Sequence, residues 1–448
     1  MSTDVQESTP EPVTGSGAAS PVGNIPPPAS RRERFRAIPA MAAWKVDAYR
    51  RYFWVSALSM GGRAVQSTAI GYVVYDISGS DFLLGLVSFM QSVPQLLLAP
   101  LVGVIVDRYD RRHILALQFT VQALGFALLG VLAVLGALTV PAIGAVVVVM
   151  GIANAFSYPS TSALVPSIVP LGAVQSANAI GSLVGNVSRI STPMLVGWMI
   201  DLAGIGAALL LGAGFYAPAA GLIVTVPLAA GALAHVAVRG TLRPEQPART
   251  FRGDIGEAFR YIRATPVVRA AVLNDVFPYL FGLSYIALLP AIARETLAGG
   301  AQTLGVLFSI GGVGALFGTV AAGMLTGRGR RGRTIWVTML GFGTSLVLVA
   351  LGDRYLEILP ALFLAGFFQM IYTIQSDTLV QTLSEPKFRG RVLAAQSMIN
   401  GLMPIGFLQL GIVAELTSPA FAIAVNGCIL VGAGIFTLLF RPVMRHLD

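Results

Sequence analysis

Twelve stretches of mostly apolar residues restrict this chain to one class of fold. They fall near 52–75, 82–106, 112–136, 139–165, 175–200, 205–233, 267–292, 302–326, 334–352, 356–380, 391–414 and 418–440. A helix needs about 20 residues to cross about 30 Å of hydrocarbon, and each stretch has roughly that length. Only 11% of the 448 residues are charged, less than half of the roughly 25% usual in soluble domains. In lipid the backbone must satisfy itself, which twelve helices do. The expected class is an all-α polytopic membrane protein.

Charge distribution sets the orientation. Of the 30 Lys and Arg residues, 26 fall in the amino-terminal tail, every second loop and the carboxyl tail. Only Arg294 and Arg354 fall in the alternate loops, and Arg63 and Arg189 lie inside spans. By the positive-inside rule both termini are expected in the cytoplasm, with the protein multi-pass in the plasma membrane. The net charge of +9 is thus topology, and nucleic acid is not expected as a partner.

The longest internal loop, 238–266, divides the spans six and six. The expected organisation is a disordered basic tail (1–45), a six-helix bundle (46–237), the linker, a second bundle (267–440) and a short tail (441–448). Within the linker, "RGDIGEAFRYIR" places Ile255, Phe259 and Ile262 on one helical face. It reads as an amphipathic helix on the inner surface or a plain soluble linker helix. The halves echo each other: Gly103-x-x-x-Asp107-Arg108-x-x-Arg111 aligns with Gly323-x-x-x-Gly327-Arg328-x-x-Arg331. Such duplication is a recurring transporter plan, with substrate bound between the halves near mid-membrane.

The loop "GVIVDRYDRRHIL" concentrates charge between two apolar runs. Asp107 closes span 2, where the helix dipole disfavours a carboxylate, and Arg108, Arg111 and Arg112 stand near to compensate. Spacing alone is equally compatible with a solubilised turn.

This stretch resembles the 2–3 loop signature of the major facilitator superfamily, G-x-x-x-D-R-x-x-R-R/K. "QSTAIGYVVYDISGS", "PQLLLAPLVGVIVDRYDRR", "FRYIRATPVVRA", "LGVLFSIGGVGALFG" and "RGRVLAAQSMINGLMPIG" look like its enterobactin-exporter and macrolide-efflux branch, from about residue 45 onward. The resemblance implies two pseudo-symmetric six-helix bundles working by alternating access, usually as exporters. It also implies that Asp107, with Arg108 and Arg111, latches the cytoplasmic ends of the halves. Gly327 replaces the second Asp, so the latch is expected to be one-sided. "SRISTPMLVGW" resembles a degenerate antiporter motif, with Thr192 where the motif has Gly, and Arg189 matches an arginine of the family.

Charge inside a span is disfavoured by at least about 2.5–3.5 kcal/mol and marks a cavity or a partner. Arg63, Arg189, Asp275 and Asp377 qualify. Related exporters often carry an acid where Arg63 stands. We expect Arg63 and Asp275 to face each other across the cavity and pair, so that cargo competing for Arg63 frees Asp275 to take a proton. A permanent bridge ordering two helices is the alternative. Asp377, near the inner end of span 10, reads as a gate charge. Gln66, Asn274 and Tyr279 are among the polar residues that line a path or bond between helices.

Lys45 and Lys387 are the only lysines, and neither stands in a P-loop, so ATP is not expected. His113, His235 and His446 are scattered and Cys428 is alone, so neither a metal centre nor an enzyme is expected. The function expected is secondary active export of a small organic molecule, a siderophore-like metabolite or a drug. The proton gradient is its driving force, no cofactor is required, and the lipid bilayer is its surroundings. The two arginines lean the cargo towards anionic or catecholate-like groups. An importer or uniporter of the same fold, or a sensor on a transporter scaffold, remains the alternative.

Overall fold

A computed structural model describes residues 42–227, 263–325, 331–383 and 401–440, with residues 260, 392, 396 and 399 singly. The tail, most of the amphipathic linker, Gly327, Arg328 and the Asp107 side chain lie outside the described residues.

Among the described residues the chain is helical, with nine helices long and apolar enough to cross a membrane, one of them covering spans 5 and 6. The elements follow the order of the twelve expected spans. Span 1 runs Asp47–Val65, through a π turn at Gln66–Ile70, into Gly71–Ser78. Gly79 ends it at φ 59°, and Ser80 then caps span 2, Asp81–Arg108, by accepting from the Leu83 N–H. Span 3 is Arg111–Val134. Span 4 is broken into Val140–Asn154 and Ser157–Ile168. Spans 5 and 6 share Val174–Val224, split at Gly204. Its φ of 83° lies where a side chain is strained.

Span 7 comprises Pro266–Phe277, a π turn at Pro278–Gly282, Tyr285–Ala291 and a second π turn at Ile292–Thr296. Spans 8, 9 and 10 are Ala301–Leu325, Arg331–Leu351 and Tyr355–Leu383. Met403–Leu416 is the described helix of span 11, and span 12 is Pro419–Phe440.

The halves meet through span 2 against span 11 and span 5 against span 8. Small residues let the backbones approach, the usual means of packing helices in lipid. A Cβ on Gly85 would lie 2.6 Å from the Phe407 carbonyl and 2.9 Å from the Gly411 Cα. Ser309 donates to the Ile190 carbonyl at 2.5 Å. These contacts lie in the half of the bundle away from the amino terminus. Near the other end, a Cβ on Gly103 would meet nothing within 4 Å, and Leu101 and Val104 are exposed. Among the described residues the halves are thus joined at the far face, and Gly103 has open space beside its Cα.

The 2–3 turn is set by Asp110, which accepts from the Arg112 N–H at 2.9 Å and holds the Arg112 guanidinium at 2.7 Å. Burial raises the Asp110 pKa, but the Arg112 hydrogen bonds and charge outweigh it and leave the carboxyl below its ordinary value. A depressed folded-state pKa gives stability that is present above the unfolded value, near 3.9, and lost as pH falls through the folded one. Asp110→Ala should therefore lower stability by about 1 kcal/mol at neutral pH. Thermal melts of variant and parent should converge as pH drops below about 4. A gap that persists unchanged at low pH would contradict the cap.

Candidate functional site

Span 7 carries Asp275 into the carboxyl-terminal half, where it is fully buried. Its Oδ1 accepts from Tyr372 at 2.7 Å and from Ser376 at 2.5 Å, both on span 10. Its Oδ2 accepts from Gln396 Nε2 at 2.9 Å. The same Nε2 donates to Asp377 Oδ1 at 3.0 Å, so one amide joins two carboxylates. Asn274 extends the network by donating to Tyr372 Oη at 3.1 Å and accepting from Thr437 at 2.9 Å. Tyr279 lies in the field of both carboxylates. Among the described residues all the donors to Asp275 are neutral. Tyr372 and Ser376 lie four residues apart on one face of span 10, the spacing that lets both reach one oxygen.

The expected Arg63–Asp275 pair is not formed. Arg63 donates to Ser157 Oγ at 3.1 Å within its own half, and the neutral donors already occupy Asp275. The reason is local: each of the two groups bonds within its own half. Asp377 joins Asp275 through Gln396, a proximity that its reading as a separate gate charge did not anticipate. Arg189 is exposed on span 5, where Gly312 of span 8 packs against its backbone carbonyl. Gln66 opens the π turn of span 1 and is buried.

The loop arginines also bond within one half. Arg111 donates to the Ala163 carbonyl at 3.3 Å and Ser167 Oγ at 3.2 Å. Arg112 reaches the Val226 carbonyl at 3.1 Å, and Arg108 is exposed. Among the described residues the bonds of Arg111 and Arg112 thus lie within one half, while the Asp107 side chain of the expected latch lies outside the described residues.

The far face carries a set of contacts that the sequence reading missed. Tyr75 donates to Glu295, and Arg294 pairs with Asp76 at 3.5 Å, joining spans 1 and 7. Glu415, at the end of span 11, accepts from the Phe82 N–H and from Ser80 Oγ, each at 2.9 Å. A carboxylate from one half thus caps a helix of the other, where the dipole favours it. Glu415→Ala should loosen this end. Amide exchange at Phe82 and Leu83 should quicken about ten-fold, measured by hydrogen exchange. Unchanged exchange there would mean that the cap does not hold the halves.

Two six-helix halves with such a network define a polytopic transporter of the major facilitator fold. The nucleoside transporter NupG shares the fold, with a TM-score of 0.69 at 15% identity over 88% of this chain and 99% of that one. A bacterial homolog of the human lysosomal transporter Spinster, inward-facing and unoccupied, gives 0.60 at 14% identity over 94% and 97%. The chain belongs to the transmembrane secretion effector family of that superfamily, which matches residues 38–448. It is 26% identical over 408 residues to the enterobactin exporter EntS of Salmonella typhi, covering 89% of this chain and 93% of the relative. An uncharacterised MFS-type transporter of Sinorhizobium fredii is 25% identical over 390 residues, covering 86% and 92%. The protein is a multi-pass membrane transporter.

Proposed function

We propose that the protein exports a small organic molecule from the cytoplasm in exchange for protons, with Asp275 as the proton-carrying group. The observation that carries this reading is a buried carboxylate held by three neutral donors and linked through Gln396 to a second carboxylate. A buried charge without a cation is costly, and binding a proton removes it. Tyr372 and Ser376 favour the charged form, so a small rearrangement of span 10 against span 7 shifts the balance between proton uptake and release.

The distribution of Lys and Arg supports a cytoplasmic amino-terminal face. On that orientation the amino-terminal face is where cargo is loaded and the proton released. The halves then rock about their interface to expose the cargo outside, and protonation of Asp275 returns them.

Similarity to an enterobactin exporter supports a siderophore-like metabolite as cargo; an amphiphilic drug is the other candidate. The test is a paired mass-spectrometric profile of cells and medium, comparing host and deletion strain in iron-poor and iron-rich media. A siderophore that builds up inside the deletion strain and falls in its medium is the expected result. No shift in either medium would contradict export of such a metabolite.

A further inference from the structure

The group opposite in charge to Asp275, Arg63, has no comparable set of partners. It lies midway along span 1, partly exposed, and donates to Ser157 Oγ. Among the described residues no carboxylate stands within ion-pair distance of it. A guanidinium carries five N–H donors in a flat fork suited to an oxyanion.

Its surroundings are rich in unused donors. Gln66, one turn further along span 1, is buried with its Nε2 unpartnered, and Ser160 on span 4 is buried with its hydroxyl unpartnered. Tyr216 of span 6 is 1% exposed, and its Oη has no partner. Its ring lies so close to Gly62 that a Cβ there would collide with it, and the carbon bearing the hydroxyl is among the atoms met. The ring is therefore beside the residue preceding Arg63, and the Tyr216 hydroxyl lies in the field of the guanidinium. Tyr52 shares that field. Ser157 opens the second segment of span 4, whose amino-terminal end carries positive partial charge.

Buried polar groups nearly always find partners, and three unpartnered groups, one a turn from Arg63, one a turn from its partner Ser157 and one beside Gly62, need an explanation. Gln66 Nε2 only donates, Arg63 only donates, and the two hydroxyls are able to donate. An anion with oxygen acceptors is the complement of such a set. Interrupted helices that present an amino-terminal end to an anionic substrate group are a known transporter device.

We infer that Arg63, with Ser157 and supported by Gln66, Ser160 and Tyr216, forms the recognition site for an oxyanion on the cargo, a carboxylate or a group of like shape. The inference rests on the reading of the chain as a transporter of small organic molecules, and it separates two tasks. The amino-terminal half holds the anionic end of the cargo, and the carboxyl-terminal half holds the proton.

The test uses the full-length protein in nanodiscs of zwitterionic lipid and two dyes that share a xanthene core. Carboxyfluorescein is anionic and rhodamine 123 is cationic; binding is read by fluorescence anisotropy. The parent should bind carboxyfluorescein about ten-fold or more tightly than rhodamine 123. Arg63→Gln should weaken carboxyfluorescein binding by about ten-fold or more, and Arg63→Lys by less. Tyr216→Phe removes a hydroxyl without a partner in the protein, so it keeps the fold and should weaken binding roughly three-fold.

Equal affinity of the parent for both dyes would overturn the inference. So would unaltered carboxyfluorescein binding in Arg63→Gln. If Arg63→Gln does not fold, unaltered binding in both Arg63→Lys and Tyr216→Phe would overturn it. Proton-driven flux in proteoliposomes is scored separately. Its absence, with charge discrimination intact, would sink the transport reading and leave the anion site standing.

Discussion

Asp275→Asn should reduce proton-driven flux by about 100-fold or more, since a group that shuttles the coupling proton has no substitute nearby. Asparagine has nearly the same shape, and its carbonyl oxygen still accepts from Tyr372 and Ser376. Its amide would then face the Gln396 amide, two donors in contact. Turning Gln396 over would relieve that clash, but its oxygen would then meet Asp377, which now accepts from its Nε2. The variant therefore folds and also breaks the link between the two carboxylates. The expected pattern is retained cargo binding, lost coupling and transport that ignores pH. Wild-type flux with wild-type pH dependence in Asp275→Asn would contradict the assignment.

Gly85→Val should impair transport by a different route. The obstacle at Gly85 is the Phe407 carbonyl and the Gly411 Cα, which are backbone and yield only if spans 2 and 11 part. Overpacking of this kind costs about 1–3 kcal/mol. Charged to the closed far face alone, that shifts its balance with the open one by roughly 5- to 150-fold. We expect flux to fall more than about ten-fold and amide exchange to quicken at the far ends of both spans. Cargo binding at Arg63 should persist. Normal flux in this variant would show that the far face does not need to close as tightly as described.

The spans were legible because hydrocarbon thickness sets a length that a sequence cannot hide. The breaks inside them were less so. The π turn opened by Gln66 and the interruption before Ser157 leave the apolar run intact, since both keep helical dihedrals. Gly204 falls where the fifth and sixth spans were separated, at a residue whose positive φ gives the reversal its physical cause. Arg63 and Asp275 stood out because charge in a span is rare, but their pairing did not follow from that. Pairing depends on which face each helix presents; neutral donors occupy Asp275, while Arg63 donates to Ser157 in its own half. Gln396 gave little signal, because a single amide near the end of a span reads equally well as an interhelical bond. Glu295 and Glu415 were missed because carboxylates at span ends resemble ordinary solvated residues.

The central claim is exchange of cargo for protons, and the most direct measurement follows the proton. Proteoliposomes loaded with pyranine would hold the purified protein and, inside, the cargo identified by the metabolite profile. On dilution into cargo-free buffer, cargo leaving down its gradient should draw protons in, and pyranine should report acidification of the lumen. Asp275→Asn vesicles should release cargo, if at all, without that signal. Cargo efflux from wild-type vesicles with no acidification would contradict proton exchange and place the protein among uniporters of this fold.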